Sequence, residues 1–98
     1  MDSGMEKYLT SLSHKIFKIL PMFEDKEPTL STYINSLKIE MIGYMSIKPE
    51  IKENESYQTA LNIIGYLENG EYDMRLCKRE VFKAKNIIDS MIDGGLNG

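Results

Sequence analysis

Apolar residues recur at steps of three and four along almost the whole chain, and proline and glycine cut that rhythm into four lengths. Such steps hold side chains on one stripe of a 3.6-residue helix, whereas a half-buried strand needs strict alternation. Met5, Leu9, Leu12, Ile16 and Ile19 make the first stripe, and Phe23 keeps its spacing beyond Pro21. Leu30, Tyr33, Ile34, Leu37, Met41, Tyr44 and Met45 make the second. Tyr57, Ala60, Leu61, Ile64 and Leu67 form a broader third, and Met74, Cys77, Val81, Ala84, Ile88 and Met91 the fourth. No useful stretch alternates with period two. The spacing predicts an all-α protein with helices over about residues 5–20, 29–48, 55–69 and 73–92.

The helix ends carry matching chemistry. Thr29 or Ser31, just after Pro28, can cap the second helix, and Asn54 the third. Pro49 leaves room for an earlier helical turn within residues 49–55. Asn69-Gly70 reads as a helix stop with glycine in the left-handed region. Asp73 caps the fourth helix and meets the positive end of its dipole. The short link between the third and fourth helices makes an αα-hairpin, whereas the loop at 22–28 is longer and acidic. Each stripe breaks after about two heptads, too soon for a coiled coil. The expected fold is a compact four-helix bundle with short loops, open to dimerisation. Residues 5–93 form its single helical domain. Residues 1–4 read as a loose tail and an expression remnant ahead of a native start at Met5, and 94–98 as a second loose tail.

Composition narrows the function classes. No apolar run is long enough for a membrane span, and no basic start leads into an apolar stretch as in an exported chain. One cysteine excludes an internal disulfide framework and a multi-thiolate zinc site. Ten lysines against two arginines, with twelve isoleucines, suggest an AT-rich coding sequence. Together these fit a cytoplasmic protein of a bacterial host cell. A chain of 98 residues buries only about two thirds of its unfolded surface, so a partner adds materially to its stability.

Two surfaces go beyond a plain bundle. On the second helix, Ile39 and Ile42 fall off the main stripe, beside Gly43 and Ser46. Either this helix lies centrally with neighbours on both sides, or the second face is an open seam for a homodimer or another protein. Charge is also segregated: the net −3 hides +4 over residues 74–86, +2 over residues 5–20 and −9 elsewhere. Arg75, Arg79 and Lys83 step by four opposite the apolar stripe of the fourth helix. They form either a solvated helix face or a basic site for an acidic partner or nucleic acid. The glycine-containing turn before a basic helix also allows a helix-turn-helix reading, although no Asn or Gln pairs with an Arg there to read bases.

The aromatic residues divide in the same way. Tyr33 and Tyr44 belong at the core edge with hydroxyls toward water, whereas Phe17, Tyr66 and Phe82 lie off the stripes as secondary core or partner anchors. Cys77 sits on its stripe as a small buried hydrophobe. His14, the only histidine, falls on the polar side of the first helix near Ser11 and Ser13, with nothing to orient its imidazole and no oxyanion hole. Gly43, Gly65 and Gly70 are isolated, no acidic stretch makes a calcium loop, and no Glu-x-x-His pair suits a di-iron bundle. No catalytic, metal or cofactor residue is expected, and the chain does not read as an enzyme.

The stretch Ser11-Leu12-Ser13-His14-Lys15-Ile16-Phe17-Lys18-Ile19-Leu20-Pro21 resembles the start of small helical phage and prophage proteins of Firmicutes. Cys77-Lys78-Arg79-Glu80-Val81-Phe82-Lys83 is similar to their closing helix. The likeness spans about residues 5–92 and brings no functional residues with it. It implies a mobile-element accessory protein that modulates a host or phage machine by binding, inhibition of a defence nuclease being one instance. The expected contact residues are Ile39, Ile42, Ser46, Arg75, Arg79 and Lys83, and the expected partner is a protein or a second copy. A nucleic-acid-binding regulator using the basic helix 73–92 is the alternative.

Overall fold

Proline and glycine act in the fold where the sequence sets them, but not always through the expected physics. The computed structural model describes residues 3–94 and forms six helices, with no strand among those residues. They are α1 Ser3–Phe17, α2 Ile19–Glu24, α3 Leu30–Ile47, α4 Pro49–Lys52, α5 Glu55–Asn69 and α6 Met74–Gly94. The radius of gyration is 13.0 Å, as expected for a compact chain of about 100 residues.

The first predicted helix is two. Pro21 has no N–H to give the carbonyl four residues back, and its ring crowds that carbonyl, which belongs to Phe17. α1 accordingly ends at Phe17, and the chain restarts as α2 with Pro21 inside it. Phe23 is therefore helical and packs against Tyr72, ring centroids 5.2 Å apart. α2 closes with the Glu27 N–H on the Met22 carbonyl (3.0 Å) and the Lys26 N–H on the Phe23 carbonyl (3.1 Å). That pattern needs a left-handed residue, and Lys26 supplies it at φ 55°.

The remaining ends largely follow the sequence. The Asn54 side chain accepts the Tyr57 N–H at 2.9 Å, and that of Asp73 accepts the Leu76 N–H at 2.9 Å. α4 begins at Pro49. Thr29 is the N-cap of α3 but makes no side-chain cap bond. Gly70 ends α5, yet at φ −84°, ψ 170° it is extended rather than left-handed. Its necessity is steric: a Cβ there would lie 2.7 Å from the Tyr66 carbonyl oxygen and 2.8 Å from the Tyr66 ring. Ser3 and Gly4 belong to α1 and Gly94 to α6, because helical hydrogen bonding carries past the last stripe residue. Residues 1–2 and 95–98 of the expected tails lie outside the described residues.

α6 packs against α1 on one side and α5 on the other, with α2 also against it, while α3 packs on α5. The buried faces largely follow the predicted stripes, including Leu9, Leu12, Ile16, Ile34, Leu37, Met41, Ile64, Val81 and Ile88, but Ile51 and Ile63 are buried outside them and Leu61 is only partly covered. α1 and α3 are bridged mainly by long side chains. Tyr8 stacks on Tyr44 at 3.7 Å, Lys15 pairs with Glu40 at 2.9 Å, and the Tyr33 hydroxyl donates to the Lys15 carbonyl at 2.7 Å. That last bond corrects the expectation that Tyr33 points its hydroxyl to water; the last turn of α1 offers it a backbone acceptor.

Candidate functional site

The polar interior is built to be inert. Tyr57 is fully buried, and its hydroxyl donates to the Met41 carbonyl at 2.7 Å. A hydroxyl has one proton, so the Tyr8 hydroxyl, 2.8 Å away, donates to Tyr57. Burial raises both phenols, and Tyr57 is pushed up to about 12, so neither ionises near neutrality. Cys77 is fully buried, and burial pushes its thiol up to about 11, so it has little thiolate for nucleophilic work.

The α1–α6 seam holds a second polar group. Ser13 is buried rather than on the polar side beside His14, because it shares the face of Leu9 and Ile16, and it meets Asp89 of α6 there. Its hydroxyl donates to Asp89 Oδ1 at 2.6 Å, and Lys85 Nζ donates to Oδ2 at 2.7 Å. Burial works against the Asp89 charge, but the Lys85 and Ser13 hydrogen bonds outweigh it and hold the carboxyl below its usual range. His14 is exposed. Among the described residues, no three His, Cys, Asp or Glu side chains gather as metal ligands. Nor is any helix long and apolar enough to cross a membrane. A depression of about 610 Å³ follows the outer face of α1. That helix and Lys18 just after it supply every described lining residue.

The outward faces of α3 and α6 differ from the rest. On α3, Ile34, Leu37 and Met41 are buried, and Leu30, Tyr33, Tyr44 and Met45 pack beside them. The opposite face is open: Ile39 is 59% exposed, Ile42 45% and Ile47 68%. α3 therefore does not lie centrally with helices on both sides, because no described element covers this face. Ser46 and Gly43 are exposed between the isoleucines, and no atom lies within 4 Å of a Cβ built on Gly43. Successive positions at 100° place Thr32, Asn35, Ser36, Ile39, Ile42, Gly43, Ser46 and Ile47 on one uncharged strip. Its only charged neighbours on α3, Lys38 and Glu40, are each paired within the chain, to Glu68 and Lys15. A depression of about 420 Å³ continues the strip, lined by Ile42, Met45, Ser46, Pro49 and Lys52.

On α6, Arg75, Arg79 and Lys83 are exposed, as is Lys78. Among the described residues no carboxylate pairs with Arg75, Lys78 or Lys83, and Arg79 only approaches Glu80 at 3.9 Å. Phe17 and Phe82, 41% and 36% exposed, meet edge to face across the seam at 5.8 Å. Glu71 and Asp73 are exposed at the N-terminal end of α6, the end a helix-turn-helix would push into a DNA groove. The structure thus brings Ile39, Ile42 and Ser46 together on one helix, and Arg75, Arg79 and Lys83 on another. Sequence reasoning missed Ile47, although it stands four residues beyond Gly43. It had no signal for the meeting of Phe17 and Phe82, which depends on how α1 and α6 align.

No family model matches the chain, and no curated protein or solved structure matches it either.

Proposed function

We propose that this chain is a non-catalytic interaction protein, a four-helix bundle that seats a partner on the outer face of α3, with a second copy as the occupant. The observation that carries this reading is the exposure of Ile39, Ile42 and Ile47 on a strip without a charged side chain. Covering the exposed halves of three isoleucines contributes roughly 1 kcal/mol each, which suits a weak, concentration-dependent contact and not an obligate one. Along α3 itself two copies meet no net charge, because Lys38 and Glu40 are neutralised by Glu68 and Lys15 of their own chain, and Lys52 stands only at the end of the continuing depression. A role as a phage or mobile-element accessory protein that modulates a host or phage machine from the cytoplasm goes with this reading.

Light scattering on a sizing column, from micromolar to millimolar protein, tests it. The mass should rise from 11.3 kDa toward twice that value with concentration. Ile39→Glu, at an exposed position, should hold the protein at the monomer mass. A native chain that stays monomeric throughout overturns the self-association. A dimer untouched by Ile39→Glu moves the contact off α3.

A further inference from the structure

We propose that the outer surface shared by α1 and α6 binds single-stranded nucleic acid, with bases stacking on Phe17 and Phe82 and phosphates held by Arg75, Lys78, Arg79 and Lys83. The site is separate from the α3 strip and does not depend on what that strip binds. Lys15, Lys38 and Lys85 are paired within the chain to Glu40, Glu68 and Asp89. On α6 itself Lys85 is paired, but among the described residues Arg75, Lys78 and Lys83 meet no carboxylate and Arg79 only approaches Glu80, and the chain holds them there against a net charge of −3. Asp73, the cap of α6, lines one depression with Arg75 and Arg79 and accepts the Leu76 N–H, and the two carboxylates on α6 itself are engaged or shielded. Asp89 is engaged by Lys85 and Ser13, and the Glu80 side chain is only 18% exposed.

The aromatic pair selects among polyanions. Phe82 lies one helical turn beyond both Lys78 and Arg79, so a ring and two cations share one patch of α6. An unpaired base can lay its face on such a ring while its phosphate reaches the cations. A base inside a duplex cannot, because its faces are covered by its stacked neighbours. An acidic peptide satisfies the cations but does not use the rings for stacking. From Arg75 to Lys83 the helix rises about 12 Å, and its four exposed cations can engage three or four phosphates of a strand laid over them.

Fluorescence anisotropy with labelled twenty-residue oligothymidylate tests the proposal, beside a duplex of the same length and a labelled oligoglutamate peptide. Oligothymidylate should bind tightest and weaken roughly twenty- to fiftyfold as salt rises from about 50 to 200 mM, the fall for three or four released counterions. Phe82→Ala should lower affinity roughly fivefold to a hundredfold, and Phe82→Tyr should restore it. Arg79→Glu with Lys83→Glu should abolish binding, and melting curves would show that these exposed positions leave the fold intact. Absence of oligothymidylate binding at low salt overturns the proposal. So does equal or tighter binding of the duplex or of oligoglutamate, or a Phe82→Ala protein that binds like the native chain.

Discussion

Two glycines with opposite surroundings offer the sharpest test of the packing. Gly43 lies in the middle of α3, where glycine costs about 0.8–1.0 kcal/mol relative to alanine through its extra backbone freedom. Its added Cβ meets nothing within 4 Å, so Gly43→Ala should return nearly all of that, about 1 kcal/mol, as stability. For a chain of 98 residues this raises Tm by about 4–8 °C. Gly70 has a backbone that alanine adopts freely, yet its Cβ would press 2.7 Å from the Tyr66 carbonyl oxygen. That oxygen also accepts the Gly70 N–H at 2.7 Å, so it cannot retreat without straining the last bond of α5. Overpacking of this kind costs about 1–3 kcal/mol, so Gly70→Ala should lower Tm by at least a similar margin. Far-UV circular dichroism melts at low micromolar protein read both variants. A fall in Tm for Gly43→Ala, or an unchanged Tm for Gly70→Ala, would refute the reasoning. At millimolar protein Gly43→Ala also reports on the α3 strip, since the methyl that stabilises the monomer should hinder close approach by a second copy.

Further predictions concern the buried polar groups. Tyr57→Phe keeps the ring but strips Tyr8 of its acceptor and the Met41 carbonyl of a donor; urea unfolding should show a loss of about 1–3 kcal/mol. Cys77 titrates near 9 when unfolded and near 11 when folded, so the native chain holds its proton longer. The resulting stability is complete below pH 9 and lost as pH rises through 11, at most about 3 kcal/mol across the window. Melts between pH 8 and 11 should fall in step, and Cys77→Ala should flatten the decline; a decline of equal slope in that variant would assign it elsewhere.

How much of this is legible in the residues depends on the range of the interaction. The four stripes report burial through periodicity alone, so Leu12, Leu37, Ile64 and Val81 are recognisable as core before any packing is known. Asn54 and Asp73 are equally local, since each caps a backbone N–H three residues on. Ser13, four residues after Leu9 and three before Ile16, stands on the first stripe, but its partner Asp89, 76 residues away, is not encoded by spacing. Tyr33 and Tyr57 likewise find backbone acceptors on other helices, which no spacing encodes. Gly70 is legible as a stop but not in its cause, since helix-stop statistics cannot distinguish a left-handed φ from a ring leaning over the chain. The α3 face poses a different difficulty. Its apolar second side is visible in the sequence, but whether a helix covers it is a matter of topology, and α5 takes the other flank.

The two candidate surfaces gain meaning from their placement. α6 is flanked by α1 and α5, and α3 lies across α5, so α3 and α6 occupy opposite corners with their outer faces turned apart. Nothing bound to the uncharged α3 strip then needs to displace a strand on α6. Two copies joined through α3 would carry their α6 faces outward. One strand long enough to span both would then bind the second face at the high effective concentration set by its own length. Dimer formation and strand affinity should thus rise together with strand length, although neither surface touches the other. If Ile39→Glu left the length dependence unchanged, the two faces would be acting alone.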